Sequence, residues 1–150
     1  MAKISEKSLK DVLEVRRSLE ELAIELTCQR MTESDLQELE KAQKAFEAAV
    51  QKGDAMEIAE TDEAYHDVIY NCTRNTRLVQ IINNLREQMY RFRLEYIKDE
   101  DKRQILLLEH RKILAALRNR RVAEARAAVR EHIDNQEITV LRNLKDREEE

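Results

Sequence analysis

The chain has 150 residues, of which 39% are charged, with one glycine, no proline and no tryptophan. Strands and tight turns depend on glycine, proline and β-branched or aromatic residues, so this composition predicts an all-α fold. The formal net charge of −4 makes this chain alone a poor candidate for DNA binding, which depends on phosphate contacts. The sequence has neither an apolar run of membrane-spanning length nor an opening signal peptide.

Apolar periodicity and capping residues predict six helices with short polar connections. Thr32 to Asp35 resembles a capping box, and Gly53 suits a left-handed C-cap. Including caps, the predicted ranges are about 8–31, 32–52, 54–72, 75–97, 102–118 and 122–145. Short connections favour antiparallel neighbours, so we expect residues 1–150 to form one domain, an antiparallel bundle of six to seven helices.

The two cysteines, Cys28 and Cys72, lie within helical patterns and lack the spacing of metal ligands. We interpret them as small buried hydrophobic residues of a protein in a reducing, cytoplasmic compartment.

The third predicted helix places two ionisable residues on its apolar face. Ile58, Asp62, Tyr65, His66 and Ile69 recur at steps of three and four residues and therefore share one side of the helix. Asp62 and His66 are one turn apart, so their side chains can converge. Burying an ionised carboxylate is costly unless it is paired or bound to a metal.

The other two histidines, His110 and His132, also fall on apolar faces, in the fifth and sixth predicted helices. Antiparallel packing of these helices would bring the two rings level with each other. Each histidine taken alone is better explained as a core residue hydrogen-bonded to a carbonyl. Together with Asp62 and His66, they form a set that suits Zn²⁺, Ni²⁺ or another first-row divalent ion.

Three arginines are candidate ligand-binding residues. Arg16 interrupts the apolar stripe of the first helix, where it can extend its head group to water or pair with Glu20. Beside a metal, it would instead suit a small carboxylate ligand. Arg86 and Arg93 lie close to the apolar stripe of the fourth helix, and solvated side chains are the favoured interpretation of both. Asn75 is better explained as a helix cap than as a ligand group.

Five segments of the sequence resemble the FCD effector-binding domain of GntR-type bacterial transcription regulators of the FadR subfamily. They are EVRRSLEELA, TDEAYHDVI, RNTRLVQII, LLEHRKILAAL and RVAEARAAVREHI. The resemblance as a whole extends over nearly the whole chain, from about Leu9 to His132 and a little beyond. The Asp-x-x-x-His element and the two later histidines are the specific features, since the rest of the pattern is common to helical proteins.

The resemblance implies a bundle of six or seven helices whose interior binds a divalent metal through Asp62, His66, His110 and His132. The expected ion is zinc, with nickel, manganese or iron as alternatives. The resemblance further implies that Arg16 helps to bind a small organic acid, the effector. It implies a homodimer that contacts DNA only through a winged helix-turn-helix domain, which we expect to lie outside this chain.

The leading hypothesis is therefore a non-enzymatic sensory and dimerising domain. One alternative is a mononuclear metal enzyme, with Glu109 or Glu131 as the general base. Each of these glutamates precedes a candidate ligand and points about 100° away from it on the helical wheel. A second alternative is a bundle in which the metal is purely structural.

Overall fold

The computed structural model describes residues 5–149, and the side chains of residues 5–147. Seven helices and no strand occur in this range, which confirms the all-α bundle. They are α1 (Glu6–Arg30), α2 (Glu33–Lys52), α3 (Ala55–Cys72), α4 (Thr76–Asn84), α5 (Arg86–Ile97), α6 (Glu100–Arg118) and α7 (Val122–Glu149). Within the described range, no helix is both long enough and apolar enough to cross a membrane.

Most helix boundaries follow the predicted capping residues. Thr32 and Asp35 form a reciprocal capping box at the start of α2. Asp54 accepts a hydrogen bond from the backbone of Met56 at the start of α3. Asn75 caps α4 through the backbone N–H of Leu78, which confirms that it acts as a cap.

The predicted fourth helix is wrong as a single element, because the structure divides it into α4 and α5. Leu85 lies between them with φ −101° and ψ 2°, and its N–H bonds to Ile82 in a tighter turn. Asn83, which has a modest helix propensity, accepts a side-chain hydrogen bond from Arg86 across this break. The division lets α4 pack against α1 while α5 packs against α3, α6 and α7.

Cross-helix ion pairs show which neighbours are antiparallel. On α1 and α7, Arg17 pairs with Asp134 while Arg130 pairs with Glu21, so the residue numbers run in opposite directions. The pairs Arg111–Glu47 and Arg118–Glu40 show the same for α2 and α6. Helices α6 and α7 are joined by a three-residue turn and pack side by side. This arrangement brings the middle of α7 close to the middle of α6.

The apolar core consists of two clusters. The larger includes Leu9, Leu13, Ile24, Tyr65, Ile69, Phe92, Ile113 and Ile133. The smaller is formed by Phe46, Ala49, Val50, Ile58, Ala59, Tyr96, Ile97, Leu106 and Leu107. Along α3, α5 and α6, the buried polar residues Asp62, Arg93 and His110 lie between members of the two clusters. A layer of polar side chains therefore separates the two apolar regions.

Gly53 ends α2 with φ +80°, in the left-handed region, as predicted. An added Cβ would meet no atom within 4 Å, so a substitution here causes no steric clash with neighbouring residues. Its effect on stability comes only from the strain of the left-handed backbone conformation. We predict that Gly53→Ala lowers the free energy of unfolding by about 1 kcal/mol, as measured by urea denaturation. Gly53→Asn is the control and should cost less, because asparagine tolerates this conformation. An equal loss in the free energy of unfolding in both variants would contradict the explanation that the left-handed conformation requires glycine.

Candidate metal centre

Asp62, His66 and His110 lie together in the polar layer. Each has a ligand atom within 4.8 Å of those of the other two, and all three residues are buried. Oδ1 of Asp62 lies 2.9 Å from Nε2 of His110 and 3.3 Å from Nε2 of His66. The one-turn spacing on α3 brings Asp62 and His66 together, and α6 supplies His110 from the facing helix.

Aromatic packing holds the His110 ring in place. Tyr65 stacks on it with a centroid separation of 4.1 Å and an interplanar angle of 7°. The hydroxyl of Tyr65 also donates a hydrogen bond to the backbone carbonyl of His110. Phe46 packs on the same ring at 4.3 Å. The orientation of His110 is thus determined by its neighbours on α2 and α3.

His132 on α7 lies beside these three residues. Its ring centroid is 5.3 Å from that of His66 and 6.0 Å from that of His110. It is not one of the residues whose ligand atoms lie within 4.8 Å of one another. The structure therefore brings all four sequence-predicted residues into one neighbourhood, with His132 at its edge.

Several polar atoms of this cluster lack hydrogen bonds. Neither oxygen of Asp62, nor Nε2 of His66, His110 or His132, has a hydrogen-bond partner among the described residues. The contacts of Asp62 with His66 and His110 are short, but they do not have hydrogen-bond geometry. Buried polar atoms are nearly always satisfied, so a converging set of unsatisfied ones fits a site for a cation.

The protonation state of His66 and His110 also suits a metal. Burial, together with the nearby guanidinium of Arg93, lowers the pKa of His66 to about 3. Burial likewise lowers the pKa of His110. Neutral imidazoles offer the free lone pair that coordination needs.

Arg93 connects this cluster to a second group of buried polar side chains. Its Nε lies 3.7 Å from Oδ2 of Asp62, and its Nη2 donates to the hydroxyl of Tyr70 at 2.8 Å. That hydroxyl in turn donates to Glu20, whose Oε1 is 3.7 Å from Nη2 of Arg93. Arg93 is only 3% exposed, so the solvated interpretation drawn from the sequence is wrong for this residue.

Arg16 lies at the far end of this group and is fully buried. Its Nε donates to Oε2 of Glu20 at 2.8 Å, and its Nη1 donates to Oε1 of Gln136 at 2.5 Å. Its Nη2 has no hydrogen-bond partner within the described part of the chain. Arg16 thus pairs with Glu20 as one sequence interpretation expected, and it retains one unused donor.

Arg86 is placed elsewhere, on the surface between α3 and α5. It pairs with Asp67 at 2.8 Å and with Glu63 at 2.5 Å, and its side chain is 38% exposed. The structure therefore does not bring Arg86 to the metal centre, and the favoured solvated interpretation fits this residue.

The two glutamates considered as general bases differ in environment. Glu131 is exposed and contacts Lys112 at 3.4 Å. Glu109 is buried, contacts Nδ1 of His132 at 3.0 Å and accepts a hydrogen bond from Asn135 at 2.7 Å. The buried position of Glu109 was missed, although it lies three residues after Leu106 and four before Ile113 on the same apolar stripe.

Comparison with known proteins assigns the chain to a family. The FCD domain model matches residues 11–135. The chain belongs to the FCD domain family. This FCD domain is 23% identical over 133 residues to the uncharacterized HTH-type transcriptional regulator YdhC of Bacillus subtilis (strain 168). The alignment covers 88% of the chain and 59% of that relative, so the chain spans somewhat over half of its length.

A solved structure confirms the fold. The E. coli protein McbR/YncC superposes on this FCD domain with a TM-score of 0.84, covering 96% of this chain and 72% of that one. The two sequences are 22% identical, so the likeness concerns the fold alone.

Glu20 offers a test of the buried polar group. Burial alone would raise its pKa, but the charges of Arg16 and Arg93 and the hydrogen bond from Tyr70 outweigh burial and lower the pKa to about 2. We predict that Glu20→Gln lowers the free energy of unfolding at pH 7 by about 3 kcal/mol or more, because two buried arginines lose their carboxylate. Urea denaturation measures this loss.

The control is Glu21→Gln, since Glu21 pairs with Arg130 at the surface, and it should cost at most about 1 kcal/mol. The stabilisation from ionised Glu20 is present above the ordinary glutamate pKa and is lost as the pH falls toward 2. The difference in the free energy of unfolding between wild type and Glu20→Gln should therefore become smaller as the pH falls from 4.5 to 2. A difference that is constant over this range would contradict the ionised pair.

Proposed function

We propose that this chain is the effector-sensing domain of a transcription regulator, and that it binds a divalent metal and a small carboxylate metabolite. The observation that carries the proposal is the convergence of Asp62, His66 and His110, with His132 beside them, in a buried layer of the bundle. Membership of the FCD family and the regulator named among its relatives support a regulatory role.

Three imidazoles and one carboxylate form a donor set that suits zinc, with nickel, manganese or iron as alternatives. We propose Asp62, His66, His110 and His132 as the ligands. When bound, such an ion supplies a positive centre to which an oxygen of the effector can coordinate. Cys28 and Cys72 are not proposed as ligands, because burial raises the pKa of both thiols and stabilises the form that does not coordinate metals.

The proposed effector site adjoins the metal ligands. A cavity of about 10 Å³, enough for roughly one water molecule, is bordered by Glu20, His66, Tyr70 and His132. Arg16 contacts Glu20, one of the residues that border the cavity, and has an unused donor, Nη2, for a carboxylate oxygen. A carboxylate larger than a water molecule can enter only if the surrounding helices move.

This requirement suggests how binding is communicated. The buried polar group joins α1 to α3, α5 and α7 through Arg16, Glu20, Tyr70, Arg93 and Gln136. An effector that binds one arrangement of these helices more tightly shifts the bundle toward that arrangement. We propose that the full regulator is a cytoplasmic homodimer, and that this shift changes the spacing of DNA-binding domains outside this chain.

The enzyme alternative receives less support. Glu109 is already engaged by His132 and Asn135, and Glu131 faces the surface. Neither glutamate is placed as a free general base beside the cluster. A purely structural metal would not account for the buried arginine beside the cluster, Arg93, or for the second one, Arg16, which is linked to it through Glu20.

We predict that the purified chain binds about one divalent ion, as measured by elemental analysis after reconstitution and by chelator competition. Asp62→Asn should weaken zinc binding by about 100-fold or more, since removal of a mere supporting partner already costs 10- to 100-fold. The matched control is Asp67→Asn, on the same helix but paired with Arg86 at the surface. Equal affinities of the two variants, or no metal bound by the wild type, would refute the proposed site.

For the effector, we predict that at least one small mono-, di- or tricarboxylate raises the Tm of the zinc-loaded chain. A ligand at 100 times its Kd adds about 2.7 kcal/mol, which corresponds to about 5–10 °C. Arg16→Lys keeps a charge beside Glu20 but loses the planar fork, so it should abolish most of this shift. Arg17→Lys, at the surface next to Asp134, is the control. A shift that persists in Arg16→Lys would exclude the proposed role of Arg16.

A further inference from the structure

Glu109 is a charged residue in the interior whose two oxygens are both used. Its side chain is 4% exposed. Oε1 lies 3.0 Å from Nδ1 of His132, and Oε2 accepts a hydrogen bond from Nδ2 of Asn135 at 2.7 Å. Both partners are on α7, so Glu109 connects α6 to α7 at the level of the metal centre.

The contact with Glu109 determines the tautomer of His132. An ionised carboxylate can only accept hydrogen bonds, so Nδ1 of His132 must carry the proton. With the proton on Nδ1, the ring nitrogen that can offer a lone pair is Nε2. This atom is buried and has no hydrogen-bond partner in the described range. It is therefore the nitrogen of His132 that is available to a metal.

The position of His132 explains why its ring needs the contact with Glu109. Asp62, His66 and His110 already lie within coordinating reach of one another, whereas His132 lies at the edge of the cluster. Tyr65 and Phe46 fix the ring of His110 by packing. For His132, the hydrogen bond to Glu109 limits the rotation of the ring.

We infer that Glu109 is the positioning residue for the fourth metal ligand: it holds His132 with Nε2 free and increases the basicity of that nitrogen. This inference rests on the proposed metal site and assigns Glu109 a role in place of the general base considered from the sequence. A carboxylate that accepts a hydrogen bond from a ligand histidine both fixes its orientation and strengthens it as a donor.

The test compares Glu109→Ala, Glu109→Gln and Glu131→Gln. Glu131 is the matched control, because it also directly precedes a candidate ligand histidine but contacts Lys112 at the surface. Zinc affinity is measured by chelator competition, and folding by circular dichroism. We expect an affinity loss of about 10- to 100-fold for Glu109→Ala, a smaller loss for Glu109→Gln, which keeps an accepting oxygen, and no loss for Glu131→Gln.

The second measurement is ¹⁵N NMR of the histidine rings in the metal-free protein at neutral pH. In the wild type and in Glu109→Gln, His132 should be protonated at Nδ1, whereas Glu109→Ala should show a mixture of tautomers. This measurement separates positioning from a general loss of stability and does not depend on bound metal.

Zinc affinity that is unchanged in both Glu109 variants would overturn the inference while the proposed site stands. An unchanged His132 tautomer in Glu109→Ala, or an equal loss of affinity in Glu131→Gln, would overturn it as well. A wild-type chain that binds no metal would overturn both the inference and the proposed function.

Discussion

The carboxylate of Asp62 is fully buried in the middle of α3, between two apolar clusters. An ionised group in such a place needs partners that replace its hydration, or its burial would oppose folding. The partners come from three helices: His66 from α3, Arg93 from α5 and His110 from α6. None of them makes a well-formed hydrogen bond to Asp62. The polar layer of the bundle therefore has its nitrogen and oxygen atoms arranged around a position that suits a cation.

The same constraint extends outward to the first and last helices. Arg93 adds a positive charge beside Asp62. The carboxylate of Glu20 lies 3.7 Å from the guanidinium of Arg93, and a second arginine, Arg16, pairs with the other oxygen of Glu20. Charges of alternating sign thus run from the candidate metal centre to α1, and Gln136 continues the connection to α7. Removing one member leaves its neighbour buried and unpaired, which makes the group cooperative. It provides a physical connection by which events at the centre can alter the packing of α1.

Local signals in the sequence were sufficient for most of the fold, because caps and apolar periodicity act within a few residues. They failed at Leu85, where the stripe continues across the break and the change of packing partners is a tertiary effect. For the site, inward-facing positions such as Asp62 could be recognised from helical spacing. The burial of Arg93 could not be distinguished from ordinary surface charge, since its partners come from other helices. Glu109, by contrast, lies three residues after Leu106 and four before Ile113 on the apolar face of α6, so its burial could have been predicted from helical spacing.

The central claim, that three imidazoles and one carboxylate hold a metal between the apolar clusters, is tested most directly by X-ray absorption spectroscopy of the zinc-loaded chain. The predicted spectrum shows a first shell of nitrogen and oxygen only, with the multiple-scattering signature of three histidines. This shell should lose the contribution of one imidazole in His132→Ala. A sulfur contribution from Cys28 or Cys72, or a wild-type first shell with fewer than three imidazoles, would contradict the account.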